Sequence, residues 1–107
     1  MDQILVYVTA ANDEEARLLA ETLVNEGLAA CANIVPGITS IFRWQGKVET
    51  STETLCLFKS TSGHFAALNR RVLELHSYET PCVVALPLVD GNPAFMKWIL
   101  DSMPKAK

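Results

Sequence analysis

A four-stranded antiparallel sheet with helices on one face, in the order βαββαβ plus one further helix, is the α+β fold class this sequence predicts. Three observations point to it. Segments with period-two apolar alternation take turns with segments of helical period. A two-residue turn joins two long strand-like arms. The 107 residues, half of them apolar, suffice for one core, so residues 1–107 read as a single domain.

The elements follow in order. Ile4 to Thr9 is a β-branched, apolar run, and Asn12 with Glu15 three positions later has the form of a helix capping box. Ala16, Leu19, Ala20, Leu23 and Val24 then fall on one helical face, and Gly27 stands where a left-handed residue ends a helix. From Ala29 to Trp44 the chain reads as a long strand interrupted by Pro36-Gly37, which permits a bulge. Gln45-Gly46 is a two-residue turn. Lys47 to Ser60 returns as the third strand, with Thr54, Cys56 and Phe58 on one face and Leu55, Leu57 and Lys59 on the other.

Ser62 is read as the cap of a second helix whose apolar side is Phe65, Leu68, Val72 and Leu75, ended by His76-Ser77-Tyr78-Glu79-Thr80-Pro81. Cys82 to Leu88 reads as strand four. Asp90-Gly91 turns the chain, Asn92 caps, Pro93 takes the first helical position, and Phe95, Ile99 and Met103 face inward on helix three. Pro104 to Lys107 reads as a frayed tail.

Composition excludes several function classes. Nine basic and twelve acidic residues give a net charge of −3, scattered along the chain, which argues against nucleic acid as a partner. Apolar runs such as Cys82 to Leu86 fall far short of the roughly eighteen residues of a membrane span. The N-terminus lacks a basic and apolar signal pattern, so the sequence as given reads as cytoplasmic unless a targeting segment was removed. Three widely spaced cysteines, Cys31, Cys56 and Cys82, form neither a disulfide framework nor a metal knuckle and read as reduced thiols.

Strands two and four fall at the sheet edges in this topology, yet Cys82 to Leu86 of the fourth is apolar on both faces and carries no blunting Lys or Pro. Edge-to-edge pairing of copies into a closed homo-oligomer is therefore expected.

Val6-Tyr7-Val8-Thr9-Ala10, Leu28 to Gly37, Trp44-Gln45-Gly46-Lys47-Val48-Glu49, His76 to Pro81 and Gly91-Asn92-Pro93-Ala94-Phe95 together resemble the CutA divalent-cation-tolerance family, from about Ile4 to Met103. The resemblance implies a ferredoxin-like subunit in a homotrimer joined through hairpins and edge strands. It also implies a role in tolerance of copper and other divalent metals, with weakly bound copper(II) or another divalent ion as the ligand, and a looser architectural similarity to PII-type signalling proteins.

His76, just past helix two, is the chemically suitable ligand, with Cys31 and Glu79 as contributors. A C-capping histidine bonded to a carbonyl is the alternative. The family's bacterial copper set resembles a cysteine closing strand one with two adjacent histidines, but here Val8 and Leu75 fill two of the three positions. Trp44, Lys47, Glu49, Lys59 and Tyr78 match family motifs and are read as lining an intersubunit cleft, with Lys59 beside Glu49 or Glu79. Trp44 there is read as an interface anchor. Cys56 and Cys82 read as core residues, His64 as exposed, and Arg70-Arg71 as a solvated face with one acidic partner.

No local motif brings together a nucleophile, base and orienting acid, and the five glycines form no phosphate loop, so catalysis is not expected. The readings that remain are a trimeric metal-binding protein, a PII-like sensor of a small ligand, and a scaffold without ligand.

Overall fold

The computed structural model describes residues 2–104 and contains β1 (Gln3–Ala10), α1 (Asp13–Asn25), β2 (Cys31–Trp44), β3 (Lys47–Thr61), a 3₁₀ turn (Ser62–His64), α2 (Phe65–Leu75), β4 (Val83–Pro87) and α3 (Pro93–Asp101). The sheet is antiparallel in the order β2-β3-β1-β4, so β2 and β4 are the edges, as the sequence predicts.

Local chemistry explains most of the boundaries. The Asn12 side chain accepts from the Glu15 N–H at 2.8 Å, and the Glu15 carboxylate reaches back to the Ala11 N–H at 2.9 Å, a reciprocal cap set one residue outward from the usual box. Gly27 closes α1 with φ +73°. Gln45 and Gly46 both have positive φ, the signature of a type I′ turn, and Trp44 pairs directly with Lys47 across it. The register shifts between Val35 and Ile38, which makes Pro36-Gly37 the expected bulge.

The core lies between the sheet and α1 with α2. Val6, Val8, Cys56 and Phe58 alternate inward and meet Leu19, Leu23, Leu68 and Val72, all fully buried. Alternation puts Leu5, Tyr7, Leu55, Leu57, Val84 and Leu86 on the opposite face, where none of them is buried. Gln3, also of that outer set, donates from its side chain to the Met96 carbonyl, so α3 packs at that end of the sheet, apart from α1 and α2.

The β2-β3 hairpin outruns β1. Its last seven paired positions, Ile38 to Trp44 against Glu53 to Lys47, lie beyond the end of the β1 ladder at Ala10 and Thr54. At about 3.3 Å per residue this arm projects roughly 23 Å. It draws the molecule out to 43 × 26 × 23 Å and raises the radius of gyration to 14.2 Å, against roughly 13 Å for a compact chain of this length.

Several expectations are corrected. Ser62 does not cap α2: a 3₁₀ turn intervenes, and the Ser62 hydroxyl accepts from the Asp2 N–H. His64 is buried, with Nδ1 2.6 Å from the Thr61 hydroxyl, because the turn folds it inward. Cys82 is exposed and lies just outside β4, which begins at Val83. Val24 and Phe95 are exposed within one chain: α1 buries Ala16, Leu19, Ala20 and Leu23, and α3 buries Ile99. The tail expectation for residues 105–107 lies outside the described residues.

Candidate functional site

The polar groups concentrate where β1 ends. Thr9 and Ala10 close that strand, Glu15 stands in the first turn of α1, Glu53 lies on β3 next to the last β1 partner, and residues 76–81 cross over from α2 to β4.

His76 is at the centre. Its backbone N–H closes α2 by donating to the Val72 carbonyl. Its ring nitrogen Nδ1 accepts from the Tyr78 N–H at 3.0 Å, which fixes the proton on Nε2, and Nε2–H donates to the Thr9 carbonyl at 2.8 Å. The side chain is fully buried, with Glu15 Oε1 3.6 Å from Nδ1.

Glu15 ties three segments together. Oε1 accepts from Ala11 and Oε2 accepts from the Ser77 N–H at 2.9 Å, so one carboxylate holds the β1-α1 junction and the 76–81 segment. Burial pushes this carboxyl up, but the Ala11 and Ser77 donors outweigh burial and leave it below its ordinary value.

Tyr78 completes the group. Its hydroxyl donates to Glu53 Oε2 at 2.8 Å, and its ring lies 4.6 Å from the imidazole, centre to centre. Burial and the neighbouring Glu53 carboxylate push the phenol up to about 12. Cys56, behind Glu15, is pushed up to about 11 by burial and by that charge, which makes it an inert core thiol.

The structure does not assemble the other expected residues around His76. Cys31 begins β2 on the uncovered face, paired with Lys59, and the Lys59 ammonium donates to Asn33 rather than to Glu49 or Glu79. Glu49 pairs with Phe42 far out on the hairpin, ten residues or about 33 Å of strand from Lys59. Trp44 and Lys47 close the hairpin tip, and Glu79 is exposed on the 76–81 segment. One chain thus groups Trp44, Lys47 and Glu49 on the outer hairpin, with Lys59 on the uncovered sheet face and Tyr78 beside His76.

No group of three His, Cys, Asp or Glu side chains able to hold a metal occurs among the described residues. Val8 is core, and His76 has both ring nitrogens engaged, so a ligand set within one subunit does not fit. Sequence reasoning missed Glu53 and Thr9 and saw Glu15 only as a cap. The His76 to Pro81 motif and the Asn12–Glu15 spacing were the signals that pointed near the cluster.

The family model of the CutA1 divalent ion tolerance protein matches residues 4–102. The chain belongs to this CutA1 family. The divalent-cation tolerance protein CutA of Thermus thermophilus is 47% identical over 92% of this chain and 95% of its own length. The human protein CutA is 40% identical over 87% of this chain, which spans only 52% of that longer relative. Among solved structures, CutA1 of Thermus thermophilus superposes with a TM-score of 0.93 at 45% identity, covering 95% of this chain and 99% of that one. CutA1 of Oryza sativa gives 0.94 at 41% identity, covering 98% and 96%. The CutA1 relatives include proteins named chloroplastic and periplasmic.

Proposed function

We propose that this CutA1 protein acts in divalent-cation tolerance as a homotrimer and binds copper or another divalent ion with donors drawn from more than one subunit. The supporting observation is the surface that one chain leaves uncovered. Val84 and Leu86 on the β4 edge are 49% and 46% exposed, and Ile41, Phe42, Trp44 and Val48 stand open along the overhanging hairpin. Apolar surface of this extent on a small chain calls for a partner, and two unpaired strand edges on the same chain suit copies of itself.

Within such an assembly the donors available to an ion differ from those first expected. Cys31 lies on the uncovered face and Glu79 is exposed, whereas His76 would have to leave two hydrogen bonds to bind. A soft thiolate favours copper(I) or zinc, and a carboxylate accepts harder ions. The small-ligand sensor would draw Lys59, Trp44 and Tyr78 from different subunits, since these three stand apart in one chain.

Sedimentation of the reduced full chain tests the assembly, with a mass of three chains expected at micromolar concentration. Calorimetric titration of zinc(II) and copper(II) then tests the site. Binding weakened by Cys31→Ser and retained by His76→Ala supports it, and binding indifferent to Cys31→Ser refutes it.

A further inference from the structure

We propose that Asp90-Gly91 is a site of isoaspartate formation, at which the folded chain slowly reroutes its own backbone just ahead of α3. The reaction needs a main-chain nitrogen within reach of the side-chain carboxyl carbon of the residue before it. The Gly91 nitrogen is held there: its N–H donates to Asp90 Oδ1 at 2.9 Å, and the carbon to be attacked is one bond further on. Asp90 and Gly91 are exposed, belong to no helix or strand, and border an open hollow shared with Asp2, Leu88 and Met96.

The atoms balance with water as the only other reactant. On the protonated carboxyl the Gly91 nitrogen bonds to Cγ, and the carboxyl hydroxyl leaves with the amide proton as water. The product is a succinimide ring. Water then opens it at one of its two carbonyls. Opening at Cγ restores aspartate. Opening at the main-chain carbonyl leaves the chain running through Cβ and Cγ, with one extra carbon in the backbone and the former main-chain carbonyl as a free carboxylate.

The fold confines this reaction to one place. Asp90 is the one Asp or Asn followed by glycine, so no side chain shields the attacking nitrogen. Asp13, Asn25, Asn69 and Asp101 lie in helices and Asn33 in β2, where the backbone is fixed, and Pro93 gives Asn92 no N–H to react. Packing explains why residue 91 is glycine. A Cβ there would stand 2.9 Å from Met96 Sδ and 3.1 Å from Met96 Cγ, so α3 leaves no room for the side chain that would protect the bond. The added carbon falls where this helix begins. Asn92 caps it by accepting the Phe95 N–H at 3.1 Å, and Gln3 anchors it through the Met96 carbonyl at 3.0 Å. A longer link at residue 90 presses Gly91 on Met96 or displaces the Asn92 cap, and either change loosens the first turn of α3 while α1 and α2 keep their packing.

Peptide mapping of the full wild-type chain, kept folded at neutral pH for several weeks, tests this. The tryptic peptide 72–97 holds Asp90 as its one aspartate, and its isoaspartate form keeps the mass, changes the chromatographic retention and is placed by electron-transfer fragmentation. The expected result is isomerisation at Asp90 about tenfold faster than at Asp2, Asp13 or Asp101, with a matching loss of amide-exchange protection at Phe95 in the aged sample. In Asp90→Glu, whose longer side chain has to close a larger ring, the isomer is absent, and the comparison among the wild-type aspartates stands without that variant. A second wild-type sample aged in urea isolates what the fold does: an Asp90 that isomerises there and stays intact in the folded chain overturns the proposal. So does isomerisation at equal rates at the other aspartates, or an isomer at residue 90 that leaves Phe95 protected as before.

Discussion

Glu15 shows how much one side chain carries in this protein. Its carboxylate satisfies backbone donors from Ala11 and Ser77, which are otherwise unconnected, and its folded-state ionisation is favoured over that in the unfolded chain. A depressed carboxyl contributes stability that is fully present above its ordinary value of 4.5 and is lost as pH falls through the lower folded value. Glu15→Gln is accordingly expected to lower the thermal midpoint at neutral pH and to flatten the acid limb of a stability-against-pH curve. An unchanged acid limb would contradict this. Tyr78 works in the opposite sense. Its phenol is raised to about 12, so the Glu53 bond persists through neutral pH and is lost as pH climbs past the ordinary value of 10.0 and through the folded one. Tyr78→Phe is expected to cost about 1.5–3 kcal/mol at pH 7 in denaturant unfolding, the usual worth of a bond to a charged group.

At the scale of elements, turns and caps are where sequence and structure coincide. Gln45 (φ 49°) and Gly46 (φ 81°) occupy conformations a type I′ turn requires, and a side chain at the second position is strained. Gly46→Ala is expected to cost roughly 1 kcal/mol, whereas Gln45→Asn, better suited to positive φ, is expected to gain a few tenths. Chemical denaturation of the two variants side by side distinguishes the signs. The Pro36-Gly37 bulge, the Gly27 stop and the Asn92-Pro93 start were equally legible, because each depends on residues only a few positions apart. Helix two was less so. Ser62 has the composition of a cap, but the chain tightens into a 3₁₀ turn there, and its hydroxyl is taken by Asp2, a partner 60 positions away.

For the whole molecule, the two faces of the sheet behave differently. The inner face is closed by α1 and α2, and its centre is unforgiving: Phe58, without solvent exposure, is expected to cost about 3–5 kcal/mol as Phe58→Ala. The outer face is open in one chain, with Leu57 and Val84 across from Tyr7 and neither closed over by a helix. If copies close it, Val84→Lys is expected to leave the secondary structure by circular dichroism intact and to shift the sedimentation mass toward one chain. A trimer that survives this substitution would place the contact elsewhere. The hairpin points the same way, since residues 41–50 of an arm of about 23 Å with apolar flanks are all exposed in one chain.

The sequence by itself determined the order of elements, the turn and bulge positions, the sheet edges and the family, because all of these rest on local patterns or on ordered motifs along the chain. It also marked His76 as the histidine of interest. Only the tertiary structure decided what surrounds that histidine. Thr9 is 67 positions away, Glu15 and Ser77 are 62 apart, and Tyr78 and Glu53 are 25 apart, so no spacing rule anticipates their meeting. The packing of the elements likewise left Cys82 exposed. Periodicity states which face a residue takes on its own element. What waits on the other side of that face is fixed by how the elements pack.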